Sequence, residues 1–221
     1  MSKLVAIVGD TGNGKSHSIQ FLDPKETYII NVADKELPFK GSSKLYNRDN
    51  QNHKVVSDAN EIIRLLTTLS DKATHIKNII IEDGNYIMAF NLVDKATEIG
   101  YTKFSVMAQQ MVNLIKTAKK LRDDINVFYF SHQEELEDSG EIVAYKMKTA
   151  GKMIDNQVKM EGLFTVVLYA VTETKGEKTD YHFVTNKYKK YPAKSPQGMF
   201  GDIKIPNNLQ EVVNKINDYY N

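Results

Sequence analysis

Gly9, Gly14, Lys15 and Ser16 fit the spacing G-x-x-x-x-G-K-[ST], directly after five apolar residues, Leu4 to Val8. Glycines at 9, 12 and 14 let successive backbone amides curl into a nest that wraps a β-phosphate, a shape that a Cβ resists. Lys15 is then expected to reach the β and γ oxygens, and the Ser16 hydroxyl to hold Mg2+. Asp10, Thr11, Asn13 and His17 complete the turn with the three glycines, which makes ATP with Mg2+ the predicted cofactor pair. His17 to Leu22 can begin a helix whose N-terminus adds partial positive charge at the same spot. The plain alternative is a glycine-rich turn that only links strand to helix. Four matched positions between an apolar run and a helical run speak against it.

Acidic and polar residues at three strand ends supply the rest of the chemistry. Thr27 to Ala33 reads as a buried strand, and Asp34 or Glu36 just beyond it could polarise the water that attacks a γ-phosphate, or form a solvated turn. Asn78-Ile-Ile-Ile-Glu-Asp83 has the Walker B form, an apolar strand ending in an acidic pair. Asp83 is assigned to the metal, and Glu82 is either a catalytic neighbour or faces the other side of the strand. Ile125 to Phe130 reads as a further strand ending in Ser131-His132-Gln133. Gln133 is the candidate sensor of the γ-phosphate, because an amide there can hydrogen-bond it and report its loss. His132 reads as a satisfied strand-end residue.

The elements that hold these groups follow from periodicity. Ser57 and Asp58 are N-cap candidates for a helix carrying Ile62, Ile63, Leu65, Leu66 and Leu69. Tyr86 to Leu121 is mostly helical with a break near Gly100-Tyr101, and residues 40–54 read as a polar loop. Gly162 to Val171 is a strand that turns at Lys175-Gly176-Glu177 into Tyr181 to Thr185, an antiparallel hairpin at the end of a mostly parallel sheet. The tail carries a short amphipathic helix with Leu209, Val212, Val213, Ile216 and Tyr219. Residues 134–157 read as irregular. Lys146, Lys148 and Lys152 there are candidates to touch a phosphodiester backbone. Asn186 to Lys194 interleaves four lysines with two tyrosines, which suits a nucleic-acid contact, a cationic finger offered to a neighbouring subunit, or a solvated basic turn.

Composition bounds the class. The chain has 221 residues, 41% hydrophobic, which suits one α/β domain. With 29 Lys+Arg against 28 Asp+Glu, no global basic field drives nucleic-acid binding, so any such surface is local. The absence of cysteine excludes a disulfide framework, a thiol nucleophile and thiolate zinc sites, and fits a reducing cytoplasm. No apolar run approaches the ~20 residues needed to span a bilayer, and no signal-like leader is visible. A cytoplasmic protein without membrane contact is expected.

The order of these parts resembles the RecA-type ATPase core. The P-loop Gly9 to Ser16, Asp34 after the second strand, Asp83, and the strand ending His132-Gln133 fall where that family handles ATP. Phe183-Val-Thr-Asn-Lys187, followed by Tyr191-Pro-Ala-Lys194, resembles the family's Lys-Asn-Lys segment, which inserts a lysine into the adjacent protomer's ATP site. Thr185 replaces the first lysine, so Lys187 carries the role over, with Lys189 or Lys190 as substitutes for the missing one. The resemblance implies an α/β fold with a mostly parallel sheet, a homo-oligomer with ATP at the subunit interface, and residues 134–143 and 146–156 as loops holding single-stranded DNA. It also implies a bare core, without an N-terminal polymerisation segment or a C-terminal domain, similar to short bacteriophage ATPases of single-strand annealing and recombination.

The leading expectation is therefore an ATPase that binds single-stranded DNA and promotes annealing or recombination. The alternative is a P-loop kinase acting on a nucleotide or small molecule. Such enzymes grip phosphates with arginine-rich lids, whereas Arg48, Arg64 and Arg122 are the only arginines in this chain. A nucleotide-binding partner protein without turnover is the third class.

Overall fold

The computed structural model describes residues 1–100, 102–149 and 159–220. A single sheet runs through them in the order β3-β2-β4-β5-β1-β7-β8-β9, with β6 paired to β5 off this path. The central strands are β1 (Lys3–Gly9), β2 (Thr27–Asn31), β4 (Asn78–Glu82) and the first half of β5 (Asn126–Asp138), all parallel. β7 (Val166–Lys175) adds in parallel on the far side of β1, and β8 (Lys178–Val184) and β9 (Lys204–Pro206) continue antiparallel. The expected α/β architecture with an antiparallel hairpin at one side is present.

The central strands are apolar on both faces because both faces are covered. Along β1, Leu4, Ala6 and Val8 enter one buried cluster while Val5 and Ile7 enter the other, the two-residue alternation of a strand with no solvated side. Helices α2 (Ala59–Lys72), α3 (Tyr86–Asp94) and α4 (Thr102–Lys119) lie on the first face, which takes Ile62, Leu66, Met111 and Ile115. The second face takes Ile19, Val212 and Ile216 from the 3-10 segment Ser16–Phe21 and the C-terminal helix α5 (Leu209–Tyr220). The side chain of Asp58 caps α2 by accepting from the Glu61 amide at 2.8 Å, as the sequence predicts.

Several expectations change. Residues 40–54 contain a short helix, α1 (Ser42–Leu45), and an edge strand, β3 (His53–Val55), parallel to β2. Residues 134–147 are an ordered ribbon: β5 continues to Asp138 and β6 (Glu141–Met147) pairs back onto it. The segment after the P-loop is a six-residue 3-10 turn, ended before Asp23-Pro24, and not an α-helix. A helix dipole therefore adds little, because aligned peptides are few. Among the described residues, no helix is long and apolar enough to cross a membrane.

Candidate functional site

The carboxyl ends of β1, β2, β4 and β5 meet at a cleft of about 530 Å³. It is lined by Asp10, Thr11, Gly12, Gly14, Lys15, Ser16 and His17 of the P-loop, by Lys35, Glu36 and Pro38 after β2, and by Tyr86, His132 and Tyr181. Asn13 is held just behind the loop, its amide donating to the Ala170 carbonyl at 3.1 Å. Gly9 is required by closeness: a Cβ there would stand 2.8 Å from the Ala170 oxygen. Gly14 is required twice over, by its φ of +83° and by the Tyr181 ring, 2.7 Å from where a Cβ would sit.

Lys15 is buried, and its ammonium donates to the carbonyls of Gly9 and Asp10 at 2.7 and 3.0 Å. Burial lowers its pKa below the usual lysine value, against the pull of the Glu82 and Asp83 charges. It is thus held at the floor of the nest.

The Ser16 hydroxyl donates to a carboxylate, and that carboxylate is Glu82. The sequence assigns Asp83 to the metal and leaves Glu82 open; here Glu82 is the acid that meets Ser16. Glu82 is the last residue of β4 and points across β5 toward the P-loop, whereas Asp83 turns aside with φ +56°. Glu82 is fully buried, and burial together with the adjacent Asp83 raises its pKa to about 7. Asp83 forms an ion pair with Lys35, and its Oδ1 lies 3.5 Å from His132 Nε2.

Glu82 Oε2 is buried without a hydrogen-bond partner, while Asp83 is held by Lys35. An unpartnered carboxylate oxygen beside a serine hydroxyl fits a hydrated Mg2+, which keeps several waters and takes one or two protein oxygens plus phosphate. Among the described residues no group of three His, Cys, Asp or Glu is set to hold a metal unaided.

Strand parity decides the sensor position. His132 lies opposite Gly9 in the β1–β5 register and lines the cleft. Gln133 points away, opposite Met147 of β6, with its Oε1 buried and unpartnered. The strand-end side chain that lines the cleft is His132, and Gln133, the sequence's candidate sensor, does not line it. Burial first, then the positive charge of Lys15, lowers the His132 pKa and keeps the ring neutral.

Glu36 lines the cleft, whereas Asp34 faces a neighbouring chamber beside His53. Lys187 is exposed, one residue before a tight turn in which Tyr188 and Tyr191 bridge, and does not line the cleft of its own chain. Lys146 lies 3.3 Å from Glu134, Lys148 is exposed at the end of the ribbon, and Lys152 lies outside the described residues. The ribbon also carries Glu135, Glu137, Asp138 and Glu141.

The residues that motif reading missed are Lys35, Tyr86, Tyr181 and Asn207. Asn207 sits 3.4 Å from the Gly14 Cβ position with both polar side-chain atoms unpartnered. None belongs to a spacing motif, and Tyr181 and Asn207 reach the P-loop only because β8 and β9 extend the sheet past it.

No family model matches the sequence, and no curated protein matches it. Among solved structures the chain is similar to a KaiC-like protein of the hyperthermophilic archaeon Pyrococcus horikoshii, with a TM-score of 0.51 and 12% identity over 84% of this chain and 78% of that one. At that identity the likeness establishes the architecture, and the chain has a RecA-like P-loop fold.

Proposed function

We propose that the protein is a Mg2+-dependent ATPase whose turnover is coupled to single-stranded DNA. The observation that carries the ATPase reading is the convergence of Lys15, Ser16 and the Glu82–Asp83 pair at one end of a parallel sheet, with an unpartnered Glu82 oxygen at the serine. Lys15 leaves the Gly9 and Asp10 carbonyls to grip β and γ oxygens. Ser16 and an ionised Glu82 would hold a Mg2+, which would supply positive charge against that developing on the phosphates. Glu36, exposed in the cleft, orients the attacking water. Neutral His132 donates one N–H toward the terminal phosphate and changes partner when it leaves.

Support for unpaired DNA comes from a groove of about 280 Å³ beside the ribbon. Tyr145 stacks on Tyr191 with centroids 4.8 Å apart, and Lys189 and Lys204 lie over the Tyr188 ring at 5.2 and 4.9 Å. Lys190 lines the same groove. Rings interleaved with cations suit bases and backbone without regard to sequence. Annealing or recombination is the task we assign to this coupling.

A second reading, phosphoryl transfer to a small acceptor, is favoured by one observation. A chamber of about 170 Å³ lined by Asp34, Ser42, Ser43 and His53 shares Lys35 and Glu36 with the cleft. Measuring phosphate release with and without a thymidine oligonucleotide separates the readings. Several-fold stimulation, lost in a Lys189→Glu/Lys190→Glu variant, supports the DNA-coupled ATPase. Turnover that needs a small hydroxyl acceptor supports the kinase, and nucleotide binding without turnover overturns both.

A further inference from the structure

We propose that Lys35, from the same chain, is the cation that meets the terminal phosphate of the bound nucleotide, exchanging its ion pair with Asp83 for a γ-phosphate oxygen. This rests on the ATPase reading above and deepens it.

Three observations place Lys35 for the task. Its backbone is fixed, because the buried Asn31 side chain at the end of β2 donates to the Lys35 carbonyl at 2.8 Å. Asp34, just before it, has a φ of +51°, a left-handed kink at the point where the chain leaves the strand. Its ammonium then reaches Asp83 at the tip of β4, with the Lys35 side chain 47% exposed and the Asp83 side chain 1% exposed. The cation is thus open to the cleft on one side and held by a buried carboxylate on the other.

Lys35 holds Asp83 by a close ion pair, and among the described residues no other group donates a hydrogen bond to either Asp83 oxygen. A γ-phosphate brings more negative charge than one carboxylate, in the cleft that Lys35 already lines. Of the described residues lining that cleft, the lysines are Lys15 and Lys35, and Lys15 is anchored to the Gly9 and Asp10 carbonyls at the opposite, P-loop wall. Lys35 therefore faces Lys15 across the space for the terminal phosphate.

In the reaction the oxygen of water adds to the γ-phosphorus, and the bond to the β–γ bridging oxygen breaks with its electron pair leaving on ADP. The water's proton passes to Glu36. Lys35 gives up no proton. Its charge stabilises the equatorial oxygens, which carry negative charge spread through a loose transition state. A charge of this kind from a neighbouring subunit's Lys187 is then not required for the chemical step.

The test compares affinities for ADP and for a non-hydrolysable ATP analogue, both with Mg2+, by titration calorimetry, alongside phosphate release. Lys35→Met is expected to weaken the analogue by roughly 10- to 100-fold, the loss of one charge-assisted phosphate contact. ADP affinity should stay within about 3-fold, and hydrolysis should fall by roughly 100-fold or more. Lys35→Arg should recover most of the analogue affinity. Because Lys35→Met strands the buried Asp83 charge, Lys35→Met/Asp83→Asn serves as a folded control and should keep the same selective loss. An unchanged analogue-to-ADP ratio in both methionine variants overturns the inference while leaving the ATPase reading standing. The selective loss appearing in Lys187→Ala instead does the same. A parent protein that binds neither nucleotide overturns both.

Discussion

His132 Nε2 stands 3.5 Å from Asp83 Oδ1 across the ends of β5 and β4. That neutral ring separates the P-loop strand from the acidic strand, because β5 lies between β1 and β4 in the sheet. A His132→Ala variant keeps Lys15, Ser16 and Glu82 in place but removes the strand-end ring that lines the cleft. Nucleotide affinity should change little, while any stimulation of hydrolysis by single-stranded DNA should drop several-fold. Steady-state phosphate release with and without oligonucleotide checks this, and a fully stimulated variant rules His132 out as the reporter.

Lys15→Ala removes the phosphate grip itself. Hydrogen bonds between charged groups contribute about 1.5–3 kcal/mol, so MgATP affinity should weaken by roughly 10- to 100-fold. The fold should survive, since the ammonium meets only two loop carbonyls. Calorimetry gives the first quantity and circular dichroism the second.

Glu82 makes nucleotide-free stability depend on pH. Its folded pKa of about 7 lies above the ordinary 4.5, so the folded state binds the extra proton between those values. Stability from this group is complete below about 4.5 and is lost as pH rises through about 7. Glu82→Gln, which still offers the Ser16 hydroxyl an acceptor, should match the parent at pH 5 and exceed it at pH 8. The gain should be about 1–3 kcal/mol, or roughly 2–4 °C in melting temperature for each of these. Identical melting profiles in chelator at both pH values would refute it.

Gly14→Ala meets both a left-handed backbone and the Tyr181 ring. It should cost about 1–3 kcal/mol and abolish nucleotide binding. Adding Tyr181→Ala removes the clash but not the strained φ, so thermal stability should recover only in part. Full recovery would show that the backbone tolerates a side chain there.

Arg122 is structural. Its guanidinium donates to the carbonyls of Ser70 and Ile76 and its Nε to Asp124 at 2.9 Å, tying the end of α2 to the start of β5. Arg122→Ala should destabilise by about 1–3 kcal/mol. Arg122→Lys should recover less than half, because one ammonium cannot reproduce a planar fork. Denaturant unfolding measures both.

How much of this the sequence discloses depends on the kind of signal. The P-loop, the Asn78 strand and the helix with Ile62 and Leu66 are legible because motif spacing and apolar period coincide there. β3 is three residues of His53-Lys54-Val55, and β9 is equally short. The second half of β5 has no buried face, so no period marks it as a strand. Which of Glu82 and Asp83 meets Ser16 hangs on one positive φ at Asp83, and which of His132 and Gln133 faces the cleft hangs on strand parity. Neither is written in residue type. Lys35 carries no motif at all, and its place follows from the kink at Asp34.

β1 sits in the interior of the sheet, hydrogen-bonded to β5 from Lys3 opposite Asn126 and to β7 from Val5 opposite Val166. As the chain leaves the ribosome, that first strand waits for neighbours made some 120 and 160 residues later. At 5–20 residues per second this is a delay of roughly 6–30 s. During it the apolar segment Leu4 to Val8 lacks the strands that will cover it and is a hazard for misassociation.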